Sequence, residues 1–150
     1  MATARTPQQI GARVELTIEV AGRPAPQGNH SRGRYGGVYE TSAGHGAWRE
    51  AVRAETQRVV GDFWVPLDEP VSVTIRFFLQ RPASLPRRVR YPAGKKHDLD
   101  KLERATLDGL VDGHALADDG LAVDLHATKR FGAPGCVIEI RTLDGTEIEP

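Results

Sequence analysis

The sequence predicts an α+β fold, with a single mixed β-sheet and two main helices packed on it. Three observations favour this class. Several separated segments alternate apolar and polar residues, as half-buried strands do, and two segments repeat apolar residues at the spacing of an amphipathic helix. Along the chain these segments follow the order strand, helix, strand, helix, strand, strand, which one sheet carrying two helices accounts for.

The first half of the chain contains one strand, one long loop and one helix. Residues 14–20 alternate apolar and polar side chains, so they are predicted to form a strand. Residues 22–37 are too rich in Gly and Pro for regular structure and are predicted to be a long loop, a kind of segment that is often functional. Residues 47–60 are predicted to form an amphipathic helix that Gly61 ends.

The second half contains a strand, a helix and two further strands. Residues 71–79 alternate most regularly and predict the clearest strand. Residues 99–111 are predicted to be a helix, with Asp98 well placed to cap its N-terminus. Residues 121–131 and 136–143 are predicted to be two antiparallel strands joined as a short hairpin through a Gly-Ala-Pro-Gly turn.

Length and composition bound the class of protein. The 150 residues fit one domain with a core, so we predict a flexible N-terminus over residues 1–12 and a single domain over 13–145. The single cysteine, Cys136, excludes an internal disulfide and favours a reducing compartment. No apolar run approaches membrane-spanning length, so we expect a cytoplasmic protein.

Charge is balanced over the whole chain but uneven within it. The 20 basic and 20 acidic residues give a formal net charge of zero, which excludes a general attraction to nucleic acid. Residues 81–96, however, hold six basic side chains and no acidic one, and they lead directly into Asp98. This segment is therefore either a DNA-binding loop that contacts phosphates or a solubilising surface loop.

Two short acidic clusters are the most informative feature of the sequence. Asp98 and Asp100 form one, and Asp119 belongs to the other; the intervening helix and turn could bring them to one point. Clustered carboxylates resist ionisation unless a cation neutralises them, and oxygen ligands suit Mg²⁺ or Mn²⁺ beside a substrate phosphate. The alternative is a solvated helix N-terminus followed by a solvated acidic turn.

A basic residue and several histidines accompany these acids. Arg104 lies four residues after Asp100 on the same helical face, so it could either reach a metal-bound phosphate or form an ordinary surface ion pair. His97, His114 and His126 leave open a mixed imidazole–carboxylate site for a transition metal.

The stretch HDLDKLERATLDGLVDGHALADDGLAV resembles the signature of RusA-family Holliday junction resolvases. In that signature an Asp-x-Asp motif opens a helix, a basic residue follows on the same face, and a turn leads to an Asp-Asp pair at the entrance of a strand. The segment PAPQGNHSR is similar to the family's Pro-rich loop, and ATKRF to its late strand with a lysine. The likeness covers most of the chain, in matching order.

The resemblance implies a metal-dependent endodeoxyribonuclease that resolves Holliday junctions by paired hydrolysis, acts as a homodimer, and is similar to enzymes encoded by phages. It implies Asp98, Asp100 and Asp119 as Mg²⁺ ligands, with Arg104 as a further catalytic residue. Together with the basic segment, it predicts the following DNA-binding residues: Asn29, His30, Arg32, Arg87, Arg88, Arg90, Lys95, Lys96 and Lys129.

The sequence departs from the family pattern at two places. Arg104 stands where the family often has lysine, and Gly120 and Leu121 follow the Asp-Asp pair where a small polar residue and Gln are common. Two alternative functions follow: a catalytically weak DNA-binding protein of the same fold, or a nuclease that prefers forks or flaps.

Overall fold

The computed structural model describes residues 13–26, 30–32, 38–40, 45–94 and 97–143, with only the backbone described at 30–32, 38–40 and 45. The segment 1–12, predicted to be flexible, lies outside these ranges. The elements in chain order are β1 (Glu15–Ala21), β2 (His30–Arg32), β3 (Val38–Glu40), α1 (His45–Val60), β4 (Val71–Leu79), α2 (Leu99–Asp112), a 3₁₀ turn (Asp119–Leu121), β5 (Ala122–Phe131) and β6 (Gly135–Thr142).

Four strands form one mixed sheet in the order β1-β6-β4-β5. β6 pairs antiparallel with both β1 and β4, whereas β5 pairs parallel with β4. The short strands β2 and β3 form a separate antiparallel ladder, β2 lying inside the segment predicted to be a loop. The predicted α+β class, one mixed sheet with two helices, is confirmed.

The predicted hairpin between the last two strands is wrong, because β4 lies between β5 and β6. The connection crosses the end of β4, where the Gly132 amide donates to the Leu79 carbonyl at 3.0 Å. Two strand spacings of about 4.8 Å are within reach of this short connection. β4 takes the central position because it is buried over most of its length, with Val71, Val73, Ile75 and Phe77 at 0% exposure.

The two helices pack closely against each other. A Cβ atom built on Gly109 of α2 would lie 2.7 Å from the Val52 Cβ of α1, so the crossing requires glycine. Across the same interface the Trp48 indole donates to the Thr106 hydroxyl at 3.1 Å, and that hydroxyl donates to the Leu102 carbonyl at 2.8 Å. These contacts fix the position of α2 on the domain.

The position of α2 determines where its N-terminus lies. α2 connects the parallel neighbours β4 and β5, so it starts near the end of both strands and ends near their beginning. The C-terminal end of this strand pair, at Leu79 and Phe131, is therefore where Asp98 enters the helix.

Cys136 is buried in β6, inside the segment 136–143 that was predicted to be a strand. Burial raises the pKa of its thiol to about 12, so the thiolate that a nucleophile or metal ligand requires is almost absent at neutral pH. Within the described ranges, no helix is long and apolar enough to cross a membrane.

Candidate metal and nucleic-acid site

Asp98 and Asp100 lie at the N-terminus of α2 with exposed side chains. Asp98 is the N-cap residue, with extended backbone at φ −65° and ψ 125°, yet its carboxylate makes no capping hydrogen bond. Only its backbone carbonyl joins the helix, accepting from the Leu102 amide at 3.0 Å. Both carboxylates thus lie at the positive end of the helix dipole, and that of Asp98 is not engaged in capping.

Glu103 is a third acidic group on this part of α2, and the sequence reasoning did not single it out. Its pKa is raised, first by burial and then by the negative charge of Asp100, while His126 of β5 acts in the opposite direction. The side chains of Asp100, Glu103 and His126 therefore lie close enough to interact electrostatically, between α2 and β5. The spacing of Glu103 three residues after Asp100, one turn along the same face, is the signal that could have identified it.

Arg104 occupies an exposed position one turn after Asp100. Within the described ranges it forms no ion pair with Asp100, so the surface pair that the spacing allowed is not present. The guanidinium is accordingly available to a ligand at this end of the helix.

The two aspartates of the second cluster differ in their contacts. The Asp118 carboxylate accepts from the Gly120 amide at 2.9 Å and caps the 3₁₀ turn, whereas Asp119 is exposed. A Cβ atom at residue 120 would lie 2.8 Å from the Asp118 carboxylate oxygen. A side chain at residue 120 would therefore require the exposed Asp118 carboxylate to move, an inexpensive adjustment, so the cap does not explain the departure from the family pattern.

The structure does not bring all three predicted ligands together within one chain. Asp119 precedes β5, whereas Lys129, near the other end of β5, contacts the residue before Asp98. From Ala122 to Lys129 the strand covers roughly 23 Å at the rise of an extended chain. Over the ranges that the structure describes, no three His, Cys, Asp or Glu side chains form a group able to hold a metal.

Lys129 holds the main chain that leads into α2. Its ammonium donates to the carbonyl of His97 at 2.8 Å and to that of Gly94 at 3.3 Å. The sequence predicted Lys129 as a DNA contact, and that role stays a prediction. The contacts observed make it a positioning residue, because they fix the chain immediately before Asp98.

For the DNA cleavage that the sequence resemblance implies, replacing Lys129 by Met is expected to lower the rate about tenfold, because the entry to α2 loses its anchor and the two aspartates lose their orientation. The salt dependence of DNA binding should keep its slope. If the slope of the logarithm of the binding constant against the logarithm of the salt concentration instead decreases in magnitude by about one, Lys129 is a phosphate contact. Arg58→Met, which removes an exposed cation paired with Glu55 on α1, controls for the loss of charge.

Residues 81–94 of the basic segment form a loop that folds around one of its own arginines. Arg81 donates to the carbonyls of Leu85, Pro86 and Val89, and its guanidinium carbon lies 5.1 Å from the centroid of the Phe131 ring. Arg81 is thus an internal support of the loop. This leaves the remaining arginines to face solvent.

The predicted DNA-binding residues are only partly within the described ranges. The side chains of Arg87, Arg88 and Arg90 are exposed on the loop. His30 and Arg32 lie in β2, where only the backbone is described. Asn29, Lys95 and Lys96 lie outside the described residues.

Comparison with known proteins gives one clear match. The model of the family described as Endodeoxyribonuclease RusA matches residues 21–141, which is most of the chain. The matched region includes α2 with Asp98 and Asp100, the turn with Asp119, and β5. The resemblance that the sequence motif indicated is confirmed. No curated protein matches the sequence.

Proposed function

The chain belongs to the RusA endodeoxyribonuclease family, and from this premise we propose that it is a Mg²⁺-dependent endonuclease that resolves Holliday junctions and related branched DNA. The observation that carries the proposal is the pair of exposed carboxylates of Asp98 and Asp100 at the start of α2. We further propose that the protein acts in the cytoplasm, where its DNA substrate lies.

The side chains at this helix end fit a hard divalent cation. Mg²⁺ is usually held by one or two carboxylates together with waters and substrate phosphates, so Asp98 and Asp100 are the ligands that this end of α2 would contribute. Mn²⁺ accepts the same oxygen ligands and should replace it. When bound, the metal would supply an activated water and neutralise charge on the scissile phosphate.

The remaining residues have roles that follow from their positions. Arg104, exposed one turn after Asp100, is placed to bind the scissile phosphate and stabilise the charge that develops on it. Arg87, Arg88 and Arg90 lie on the loop that precedes α2, where they can contact flanking phosphates.

Lys129 positions the loop relative to the start of α2, because its ammonium donates to the carbonyls of Gly94 and His97.

We propose that the active unit is a homodimer in which β5 forms the interface. β5 is an edge strand of the four-stranded sheet, and Val123 and Leu125 on it are 53% and 37% exposed. A long edge strand with exposed apolar side chains favours pairing with another chain. The other half of β5 is already in contact with the basic loop through Lys129, Arg130 and Phe131.

Such a dimer would complete the acidic site. If two copies of β5 run antiparallel across a two-fold axis, the start of one strand lies beside the later half of the other. Asp119 of the partner subunit then approaches the end of β5 at which Asp98 and Asp100 lie. The separation of the three aspartates within one chain supports this arrangement, and two symmetric sites suit two symmetric cuts.

The proposal is tested by comparing four substrates side by side: a four-way junction, a replication fork, a flap and a linear duplex. We expect Mg²⁺-dependent cleavage of the four-way junction, with paired cuts in opposing strands, at a rate at least about tenfold above the linear duplex. EDTA should abolish cleavage. Faster cutting of forks or flaps would favour the alternative substrate class, and junction binding with no cutting would favour an inactive DNA-binding protein.

A further inference from the structure

A cavity of about 600 Å³ lies beside the candidate metal site and has no part in the mechanism described above. Its wall is formed by the end of β4, the basic loop and the end of β5, and His97 contributes to it directly before Asp98. Pockets for small organic ligands have volumes of this order. The cavity is large enough for one nucleotide and too small for a duplex.

We propose that this cavity binds a single unpaired base of branched DNA, at a nucleotide next to the scissile phosphate. The proposal rests on the proposed nuclease function for the identity of the DNA, and on the cavity for the site. A nucleotide whose phosphate lies at Asp98 has its base within reach of a cavity that begins one residue earlier, at His97.

The lining residues match the chemistry of a base. Leu79, Leu85, Val89 and Phe131 give an apolar surface on which a flat ring can be buried, and Arg81 adds a positive charge that is fixed among backbone carbonyls. Enzymes that bind an extruded base hold it by stacking against aromatic and apolar side chains in this way.

Tyr91 is the residue that should stack on the base. It lines the cavity and is 60% exposed, so a large part of its surface is open to a ligand. The Arg130 guanidinium carbon lies 5.2 Å from the centroid of its ring and Arg130 does not line the cavity, so the ring meets the cavity with its other face or its edge. Arg130 also holds the ring in place, which lowers the entropic cost of stacking.

A double-mutant cycle between base and tyrosine tests the proposal. Binding of junctions is measured with Ca²⁺ in place of Mg²⁺ to prevent cleavage, and each nucleotide that flanks the cleaved phosphate is replaced in turn by an abasic analogue. At one of the two positions, the abasic analogue should weaken binding to the wild type about tenfold, a loss in the range for base–aromatic stacking. The same analogue should leave binding to Tyr91→Ala unchanged.

Two control variants sharpen the result. Tyr91→Phe keeps the ring and should behave as the wild type, and Phe63→Ala removes an aromatic side chain that is 82% exposed away from the cavity and should change nothing. An equal abasic loss in the wild type and in Tyr91→Ala, or no loss at either position, overturns the proposal.

A second measurement does not depend on nuclease activity. Amide resonances of Leu85, Tyr91 and His97 should shift on titration with deoxynucleoside 5′-monophosphates and not with deoxyribose 5-phosphate, which has no base. If the nucleotides cause these shifts but the protein neither binds nor cuts branched DNA, the proposed function is refuted and the base-binding cavity is not. Absent shifts, or equal shifts with both compounds, would refute the base-binding cavity alone.

Discussion

Asp100→Asn is expected to lower DNA cleavage by roughly two or more orders of magnitude while leaving junction binding intact. The substitution replaces one carboxylate of the exposed pair at the start of α2 by a neutral amide, which would weaken the binding of the metal that neutralises charge on the scissile phosphate. Cleavage is followed on a labelled four-way junction in Mg²⁺, and binding on the same junction in Ca²⁺.

The control for this substitution is Asp62→Asn, which neutralises an exposed carboxylate in the turn after α1. Its cleavage rate should equal that of the wild type. Both variants should unfold within about 4 °C of the wild type, because neither carboxylate is buried and the helix-dipole contribution of Asp100 is at most about 1 kcal/mol. Equal cleavage by Asp100→Asn and the wild type would refute the proposed metal site.

Mixing two inactive variants is expected to restore activity if the site is shared between subunits. Asp98→Asn and Asp119→Asn should each be inactive alone. In a heterodimer of the two, one site combines the intact Asp98 of one chain with the intact Asp119 of the other, while the second site lacks both. Random exchange makes about half of the dimers mixed, so about a quarter of the wild-type sites should return.

The products of the mixture provide the decisive readout. A heterodimer with one working site should nick one strand of a junction, whereas the wild type should cut two. Mixing Asp98→Asn with Asp100→Asn is the matched control. Each proposed site takes both Asp98 and Asp100 from the same chain, so every site in such a heterodimer still lacks one of them. No recovery in the first mixture, with dimers shown by sedimentation, would contradict a site shared between subunits.

Local patterns predicted the individual elements well. The alternation over residues 71–79 corresponds to β4 at Val71–Leu79, and the predicted helix at 99–111 corresponds to α2 at Leu99–Asp112. Period and capping are local properties, so they can be read from neighbouring residues. The position of β4 between β5 and β6 is a long-range property, and for that reason the hairpin prediction was wrong.

The exposed carboxylates at the start of α2 could be predicted from the sequence, whereas the arrangement of the proposed ligands could not. Asp98, Asp100 and Asp119 were proposed from the motif and the family resemblance, yet their separation follows from the parallel pairing of β4 and β5, which no local pattern encodes. Lys129 shows the same limit. Its charge was visible in the sequence, whereas its hydrogen bonds to the carbonyls of Gly94 and His97 depend on a contact between residues far apart in the chain.

The buried Cys136 makes the protein convenient for site-specific labelling. Its thiol has a pKa of about 12 and lies inside β6, so maleimide and methanethiosulfonate reagents, which attack thiolates, should leave it unmodified at neutral pH. A cysteine introduced at the exposed Val123 would then be the reactive thiol of the described chain. Spin labels attached there would report the distance between two β5 strands without any change to the native cysteine.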